Sequence, residues 1–239
     1  MEKPLKNSWR ALWSDCSGLA LVEFAYVAPM FMGFVASGTE LANYAVKTTQ
    51  VSQLALQVAD NGARIGEGEP LALKRITEGQ INDLFIGAEI HAGNLDIFGW
   101  HERDGVQRPN GRIILSSLET TANPNPTNTF RITWQRCRGE YTKYLPQFGE
   151  AGQPSGTNMT GMGPAGRQVT AVAGTPVLFV EVRYRYQPLF FNDFAFYGYE
   201  NMTSTASMMV RDARDLSQVY PTAGQTPATC VVPVADRVD

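Results

Sequence analysis

Two residues near the start of the chain have types and spacing suited to peptide-bond cleavage and to charge pairing. Gly18 directly precedes an apolar run, and Glu23 lies five residues after it. Because glycine has no side chain, an extended backbone at Gly18 can fit a narrow protease cleft. An acid within an apolar run of membrane length costs several kcal/mol unless it has a partner. The spacing therefore predicts a processing site followed by a carboxylate that needs a positive charge.

The cysteines are the next residues that could do chemistry. Cys16 precedes the apolar run, whereas Cys137 and Cys230 both follow it. If the part after the run is exported, Cys137 and Cys230 meet an oxidising compartment and can pair. A bridge that closes a loop of this size contributes about 4 kcal/mol in the chain-entropy model. The alternative is that both cysteines stay unpaired in the core.

Catalytic signatures are missing from the sequence. The two histidines, His91 and His101, stand ten residues apart, whereas metal sites need closer or more numerous ligands. The sequence has no Gly-x-Ser-x-Gly elbow, phosphate-binding loop or dinucleotide fingerprint. A formal charge of −3 gives no basic footprint for nucleic acid. We therefore expect a protein that is not an enzyme and that uses no metal and no cofactor.

A single long helix must position Gly18 and Glu23. The apolar run, GLALVEFAYVAPMFMGFVASG, is about as long as one bilayer crossing. Apolar residues then recur at three- and four-residue spacing until Asn61 and Gly62 supply a stop. This pattern predicts a helix over 19–63 that spans a membrane to about residue 40. Pro29 removes one backbone hydrogen bond and is expected to bend the helix.

Flanking charge predicts the orientation of this helix. Lys3, Lys6 and Arg10 precede the apolar run, and the positive-inside rule keeps such residues in the cytoplasm. The chain beyond about residue 45 would then lie outside a bacterial inner membrane. A conventional signal peptide is the alternative, with Val35-Ala36-Ser37 as its cleavage site. The helical pattern continues through Ser37, which argues against that alternative.

The remainder, 64–239, is predicted to form a soluble α+β domain. A second helix is expected over 69–86, where apolar residues make one face. Short strands are expected at 94–100 and 112–118, and alternation predicts strands at 129–137, 176–186 and 202–210. The arginines and Glu181 of the fourth strand are expected on a solvated face of an antiparallel sheet. The fold class is thus α+β: a long N-terminal transmembrane α-helix, a short helix and an antiparallel β-sheet.

The N-terminal motif resembles the TadE/TadF family of pseudopilins, which serve the Flp (Tad) type IV pilus machinery. That family shows glycine, four small or apolar residues, glutamate, an aromatic residue, and then an apolar run with proline. Here these are Gly18, residues 19–22, Glu23, Phe24 and Pro29. The later stretch VEVRYRYQPLF resembles the family more loosely, and residues 64–175 add little.

The resemblance implies that a prepilin peptidase cuts between Gly18 and Leu19. The leader, 1–18, would be lost, and Glu23 of one subunit would meet the new Leu19 ammonium of its neighbour. The implied protein is a minor pseudopilin, held by a single pass in the inner membrane, with its C-terminal domain in the periplasm or in a pilus. Its implied partners are membrane lipid, other pseudopilins, the major Flp pilin and the inner-membrane platform proteins.

A second hypothesis stays open beside this one. The chain could be an uncleaved single-pass anchor that presents a periplasmic binding or adhesion domain. That hypothesis predicts an intact leader and no dependence on pilus genes. The N-terminus of the membrane-associated protein separates the two hypotheses.

Overall fold

The structure is a computed structural model that describes residues 18–69, 72–103, 105–190 and 201–231. The predicted leader up to residue 17, with Cys16 and the basic residues that set the orientation, lies outside these ranges. The chain divides into two compact units, residues 1–44 and residues 45–239.

Helix α1 spans Leu19–Gly62, as the apolar run and the pattern after it predict. It starts where the Gly18 carbonyl accepts a hydrogen bond from the Val22 amide at 3.2 Å. Pro29 lies inside the helix, which continues on both sides of it. Within α1, an 18-residue stretch is long and apolar enough to cross a membrane, and none of that stretch is buried.

Helix α2 spans Glu78–Ala92 and begins nine residues later than the prediction of 69–86. The Thr77 hydroxyl accepts from the Gln80 amide at 3.3 Å, and the Gln80 side chain accepts from the Thr77 amide at 3.2 Å. This reciprocal capping box fixes the start of the helix. Before it, Lys74 and Thr77 form parallel bridges with Arg214 and Tyr220. Residues 74–77, which were predicted as helix, are therefore extended chain.

In the described part of the chain, six strands follow in two antiparallel sheets. Strands β1 and β2 form a hairpin, and the other four form a sheet of order β4-β3-β5-β6. The bounds are Trp100–Arg103 for β1, Val106–Pro109 for β2, Gly111–Thr120 for β3, Phe130–Arg138 for β4, Val177–Arg185 for β5 and Asn201–Met209 for β6.

The predicted strand over 94–100 is wrong. Residues Gly93–Leu95 form a 3-10 turn, and Asp96 adopts a left-handed conformation with φ of 46°. An extended strand cannot pass through such a residue. The strand therefore begins only at Trp100, where it pairs with Pro109.

One face of the four-stranded sheet packs against helices. The buried residues of α1 all lie in its C-terminal third and include Leu54, Ala55 and Val58. At Gly62 the helix lies close to the sheet, because an added Cβ would be only 3.0 Å from Leu178 Cδ1. On α2, the Glu78 carboxylate forms an ion pair with Arg136 of β4.

The opposite face of the sheet is also covered, which corrects the expectation of a solvated face. Residues 139–175, which we call the cover segment, contribute Met162 and Ala171 to a buried cluster with Phe130 and Phe179. Glu181, Arg185 and Arg112 on this face are buried as well. Polar residues alternate with apolar ones here because they bind the cover segment, and only Arg183 among them stays half-buried.

Candidate functional site

The predicted cleavage bond lies at the exposed start of α1. Gly18 and Leu19 are both exposed, and the Gly18 carbonyl is the first acceptor of the helix. A Cβ added to Gly18 would have no heavy atom within 4 Å. Packing within the described chain therefore gives no reason for glycine at this position.

Glu23 lies one helical turn beyond Leu19 and is exposed. Helix neighbours three and four residues away are Leu19, Ala20, Tyr26 and Val27, which carry no charge. Within the described residues, the Glu23 carboxylate forms no hydrogen bond and no ion pair. The surroundings of Glu23 therefore agree with the expectation that this acid needs a partner from outside the described residues.

Phe24 and Pro29 share this segment, which is apolar on all sides. The exposed large apolar residues of its first 17 positions are Leu19, Leu21, Val22, Phe24, Tyr26, Val27, Met30, Phe31, Met32, Phe34 and Val35. Water solvates such a surface poorly, and a continuous one marks contact with lipid or with other proteins. The first half of α1 is therefore built to be covered by something outside the described chain.

Cys137 and Cys230 form a disulfide in the second unit, as the sequence predicted. Their Cα atoms are 4.8 Å apart, and 93 residues separate them along the chain. The Cys137 amide donates to the Ala228 carbonyl at 2.7 Å, and Arg112 donates to the Cys230 carbonyl at 3.2 Å. The bridge therefore joins the end of β4 to the C-terminal tail.

Sequence reasoning missed the buried carboxylate of Glu181 beneath the cover segment. Its Oε2 atom accepts from the Gln147 amide at 3.0 Å and from the Tyr144 hydroxyl at 3.4 Å. Burial raises the pKa of Glu181 to about 7, although these donors oppose the shift. In the sequence, Glu181 appeared only as one of three charged residues, with Arg183 and Arg185, that alternate with apolar residues. Its role in the structure is to hold the cover segment on the sheet.

The arginines of the same face bind main chain and aromatic rings. Arg112 donates to the carbonyls of Thr142 and Tyr144 at 2.9 and 3.1 Å. The guanidinium carbons of Arg183 and Arg185 lie 5.1 and 4.5 Å from the ring centres of Tyr144 and Tyr141. These contacts are cation–π interactions. Together with the hydrogen bonds of Arg112, they fix the start of the cover segment.

The histidines lie on different elements and do not converge. His91 is in the last turn of α2, and His101 is in β1 with its Nδ1 atom 2.7 Å from Asn110 Oδ1. Within the described ranges, no three His, Cys, Asp or Glu side chains are placed to hold a metal ion. A groove of about 700 Å³ lies at the outer edge of β4, where Arg136 already pairs with Glu78. We assign no reaction to it.

Comparisons of the chain with protein-family models, with curated proteins and with solved structures found no match. The resemblance to TadE/TadF pseudopilins therefore depends on the residues of α1 and β5 themselves. Of the predicted site residues, Gly18 directly precedes α1, and Leu19, Glu23, Phe24 and Pro29 lie in its exposed apolar first half. The two cysteines belong to the other unit.

Proposed function

We propose that the protein is a minor pseudopilin of the TadE/TadF kind, processed by a prepilin peptidase and acting in assembly of a Flp/Tad type IV pilus. The observation that carries this proposal is the Glu23 carboxylate. It has no partner within the described chain, on an exposed apolar helix, one turn after an exposed Gly18–Leu19 bond.

The chemistry of the proposed cleavage supplies the missing partner. Hydrolysis of the Gly18–Leu19 bond leaves a free ammonium on Leu19. In a bundle of parallel copies, that ammonium meets Glu23 of a neighbouring subunit. Opposite charges attract strongly in a low-dielectric surrounding, whereas a lone buried charge is penalised. The pair therefore sets the register between subunits more than it adds net stability.

The apolar surface of α1 and the disulfide support the proposed location. A helix with a continuous exposed apolar stretch is stable in lipid or among similar helices. A structural disulfide persists in an oxidising compartment such as the bacterial periplasm. The proposal accordingly puts 1–18 in the cytoplasm, α1 across the inner membrane and the β-sheet domain in the periplasm.

The cleavage is tested by the mass of the N-terminus after coexpression with the prepilin peptidase. We expect the mature chain to begin at Leu19, and we expect Gly18→Leu to block maturation. Gly33→Leu is a matched control, because an added Cβ there also has no heavy atom within 4 Å. It should be processed normally. A wild-type N-terminus at Met1, or near Gly38, would contradict the proposal.

The assembly role of Glu23 is tested separately by counting pili. Glu23→Gln removes the charge that the Leu19 ammonium needs, so piliation should fall while cleavage continues. Glu40→Gln is the control, since Glu40 lies beyond the apolar stretch and should leave piliation unchanged. Normal piliation by Glu23→Gln would show that the charge pair is not used.

One observation favours the alternative of an uncleaved single-pass anchor that presents a binding or adhesion domain. The Gly18 carbonyl already accepts from the Val22 amide, so the helix begins at the bond that a protease must bind in extended form. An intact leader in cells that contain the peptidase, together with normal function in cells without pilus genes, would establish that alternative.

A further inference from the structure

The two edges of the four-stranded sheet differ in how the chain covers them. At the β4 edge, the Phe130 amide donates to the Met159 carbonyl at 2.8 Å, and the Cys137 amide donates to the Ala228 carbonyl at 2.7 Å. Between these two contacts, the register of β4 against β3 shifts. Cover and irregularity of this kind keep sheet edges from pairing with other strands. The β4 edge is therefore covered near both of its ends and irregular between them.

The β6 edge has no such cover within the described residues. Strand β6 pairs with β5 from Asn201 to Met209 without a shift in register. The next amide, that of Val210, donates to the Pro176 carbonyl at 3.0 Å. Because hydrogen bonds alternate along an antiparallel strand, the main chain of even-numbered β6 residues bonds to β5 and that of odd-numbered residues points away. Beyond Asn201, the outward residues are Thr203, Thr205, Ser207 and Met209.

The outward main-chain groups of these four residues bond to nothing in the part of the chain that the structure describes. The Thr203 hydroxyl accepts from Arg183 Nη1 at 2.7 Å, but its main chain takes no part in that bond. Strand β6 has no charged residue and no proline, the residue types that commonly prevent edge pairing. The β6 edge thus has the chemistry of an acceptor for another strand.

The side chains of β6 suit a second copy of the same strand. Its residues are small, hydroxylic or apolar, in the order NMTSTASMM. Serine and threonine form cross-strand hydrogen bonds, whereas like charges that face each other destabilise a pair. An uncharged strand rich in hydroxyls can therefore pair with itself without repulsion.

Contacts with α1 fix the direction in which β6 runs. The Thr48 hydroxyl donates to Met202 Sδ at 3.8 Å, and the Ser204 hydroxyl donates to Ser52 Oγ at 3.3 Å. As α1 advances from Thr48 to Ser52, β6 advances from Met202 to Ser204. The two elements therefore run in the same direction, and the start of β6 lies beside the part of α1 that closely follows the apolar stretch.

Anchorage in one membrane favours a parallel pair of β6 strands. Thr48 follows Leu41 by only seven residues, which span at most about 25 Å even when fully extended. The Met202 end of β6 is thus kept near the membrane that α1 is proposed to cross. A parallel pair puts both Met202 ends together, whereas an antiparallel pair separates them by roughly 25 Å, most of the length of the strand.

We propose that β6 is an interface between two copies of this chain, whose β6 strands pair edge to edge in parallel and join the two four-stranded sheets into one. Because the same odd-numbered residues face outward in both copies, parallel hydrogen bonding requires the copies to be offset by one residue along the strand. This inference rests on the proposed single-pass anchorage. Confinement to one membrane raises the effective concentration of the second copy.

Amide hydrogen exchange of the full chain, resolved to single residues, tests this pairing. Nanodiscs cut from the bacterial membrane with a polymer keep the chains in their cellular orientation, and two affinity tags separate nanodiscs with one chain from those with two. We expect the outward amides of Thr205, Ser207 and Met209 to exchange at least about tenfold more slowly with two chains, because exchange then requires the pair to open. The inward amides of Ala206 and Met208 should exchange equally in both.

T203K/M209K puts a charge near each end of the edge and should abolish the slowing, since like charges then meet in the pair. Thr203 and Met209 are both exposed, so we expect this chain to fold. T49K/Q53K is the matched control, because it adds the same charge at two exposed residues of α1, and it should retain the slowing.

Three outcomes of the exchange measurement would overturn the proposal. The first is fast exchange of the outward amides with one chain and with two. The second is equally slow exchange in both, which would show that the edge is covered by its own chain. The third is slowing that survives T203K/M209K.

The parallel direction is tested by cysteine cross-linking in a chain that also carries Cys16→Ser. Thr203→Cys brings two thiols together in a parallel pair, so mild oxidation of the membranes should produce disulfide-linked dimers. Gln53→Cys, which is exposed on α1, should stay monomeric. Dimers that form only when Thr203→Cys and Met209→Cys chains are mixed would show an antiparallel pair and overturn the proposal.

The same data separate this inference from the anchorage and from the cleavage. Slow exchange of residues 19–41 in all nanodiscs, with fast exchange of the outward β6 amides, overturns the pairing alone. Free exchange of 19–41 overturns the anchorage as well. Neither measurement requires cleavage before Leu19, so failure of the proposed processing is seen independently in the mass of the N-terminus.

Discussion

The two halves of α1 belong to one continuous helix but meet different surroundings. In the first half, Leu21 is 73% exposed, whereas Leu54 in the second half is 1% exposed and Ala55 is fully buried. Both halves are rich in apolar residues, so composition alone does not distinguish them. This difference shows that the second half packs against the sheet of the same chain, whereas the apolar surface of the first half is left for something outside the described chain.

The polar residues of the two halves reflect the same division. In the second half, Lys47, Gln53 and Gln57 alternate with the buried positions, as on an ordinary amphipathic helix. In the first half, Glu23 is the one charged residue before Glu40. A helix that is apolar on every side needs cover all round, which the described part of its own unit does not supply.

The largest expected effect comes from truncating one leucine in each half of α1. Leu54→Ala should lower the free energy of unfolding of the β-sheet domain by about 2–5 kcal/mol, because it removes buried methyl groups and leaves a cavity. Leu21→Ala should leave that free energy unchanged. Denaturant titration of the full chain in detergent micelles, followed by near-ultraviolet circular dichroism, measures both. Equal losses would show that both halves support the same fold.

The pH dependence of stability distinguishes Glu181 in the β-sheet domain from Glu23 in the first half of α1. The pKa of Glu181 is raised to about 7 by burial, so the folded chain holds this proton more tightly than the unfolded chain, whose ordinary value is 4.5. Its contribution to stability is therefore full below about pH 4.5 and is lost as the pH rises to about 7, by no more than about 3 kcal/mol.

Glu181→Gln should remove this loss, and Glu23→Gln should retain it. The measurement is the free energy of unfolding of each chain at several pH values between about pH 5 and about pH 8. Other groups titrate as well, so the quantity that decides is the difference between each variant and wild type. A Glu181→Gln chain with the wild-type pH dependence would contradict the role of the buried carboxylate.

The smallest effect comes from two threonines. Thr77→Ala deletes the capping hydroxyl of α2 and should cost about 1 kcal/mol. The Thr39 hydroxyl bonds to the Val35 carbonyl inside the first half of α1, so Thr39→Ala should leave the domain unchanged. Thermal unfolding in detergent compares them. A larger loss of stability for Thr39→Ala than for Thr77→Ala would show that the first half of α1 does support the β-sheet domain.

Elements with strong periodicity were predicted well. Helix α1, and strands β3 to β6, begin and end within two residues of the predicted bounds. Except for β3, which was predicted over only seven residues, their patterns extend over nine or more residues. The start of helix α2 was predicted too early because Leu71 and Leu73 are apolar and fit the spacing of a helix face. The Thr77-x-x-Gln80 signature was present in the sequence and marked the true start.

The covered second face of the sheet could not be predicted from the strands. Alternation of Glu181, Arg183 and Arg185 with apolar residues looks the same whether water or a polar segment faces them. The cover segment has many Gly and Pro residues and no periodicity, so it carried no signal of packing. Its contacts with Glu181 and Arg112 exist only in the assembled domain.

The sequence by itself determined the long apolar helix, the motif of Gly18 and Glu23, and the positions of the main strands. These follow from local composition and spacing, since water excludes a long apolar run wherever the rest of the chain lies. Only the tertiary structure decided the strand order, the second covered face and the 4.8 Å approach of Cys137 to Cys230. Those features join residues that are far apart along the chain, and local patterns do not encode which distant partner a residue meets.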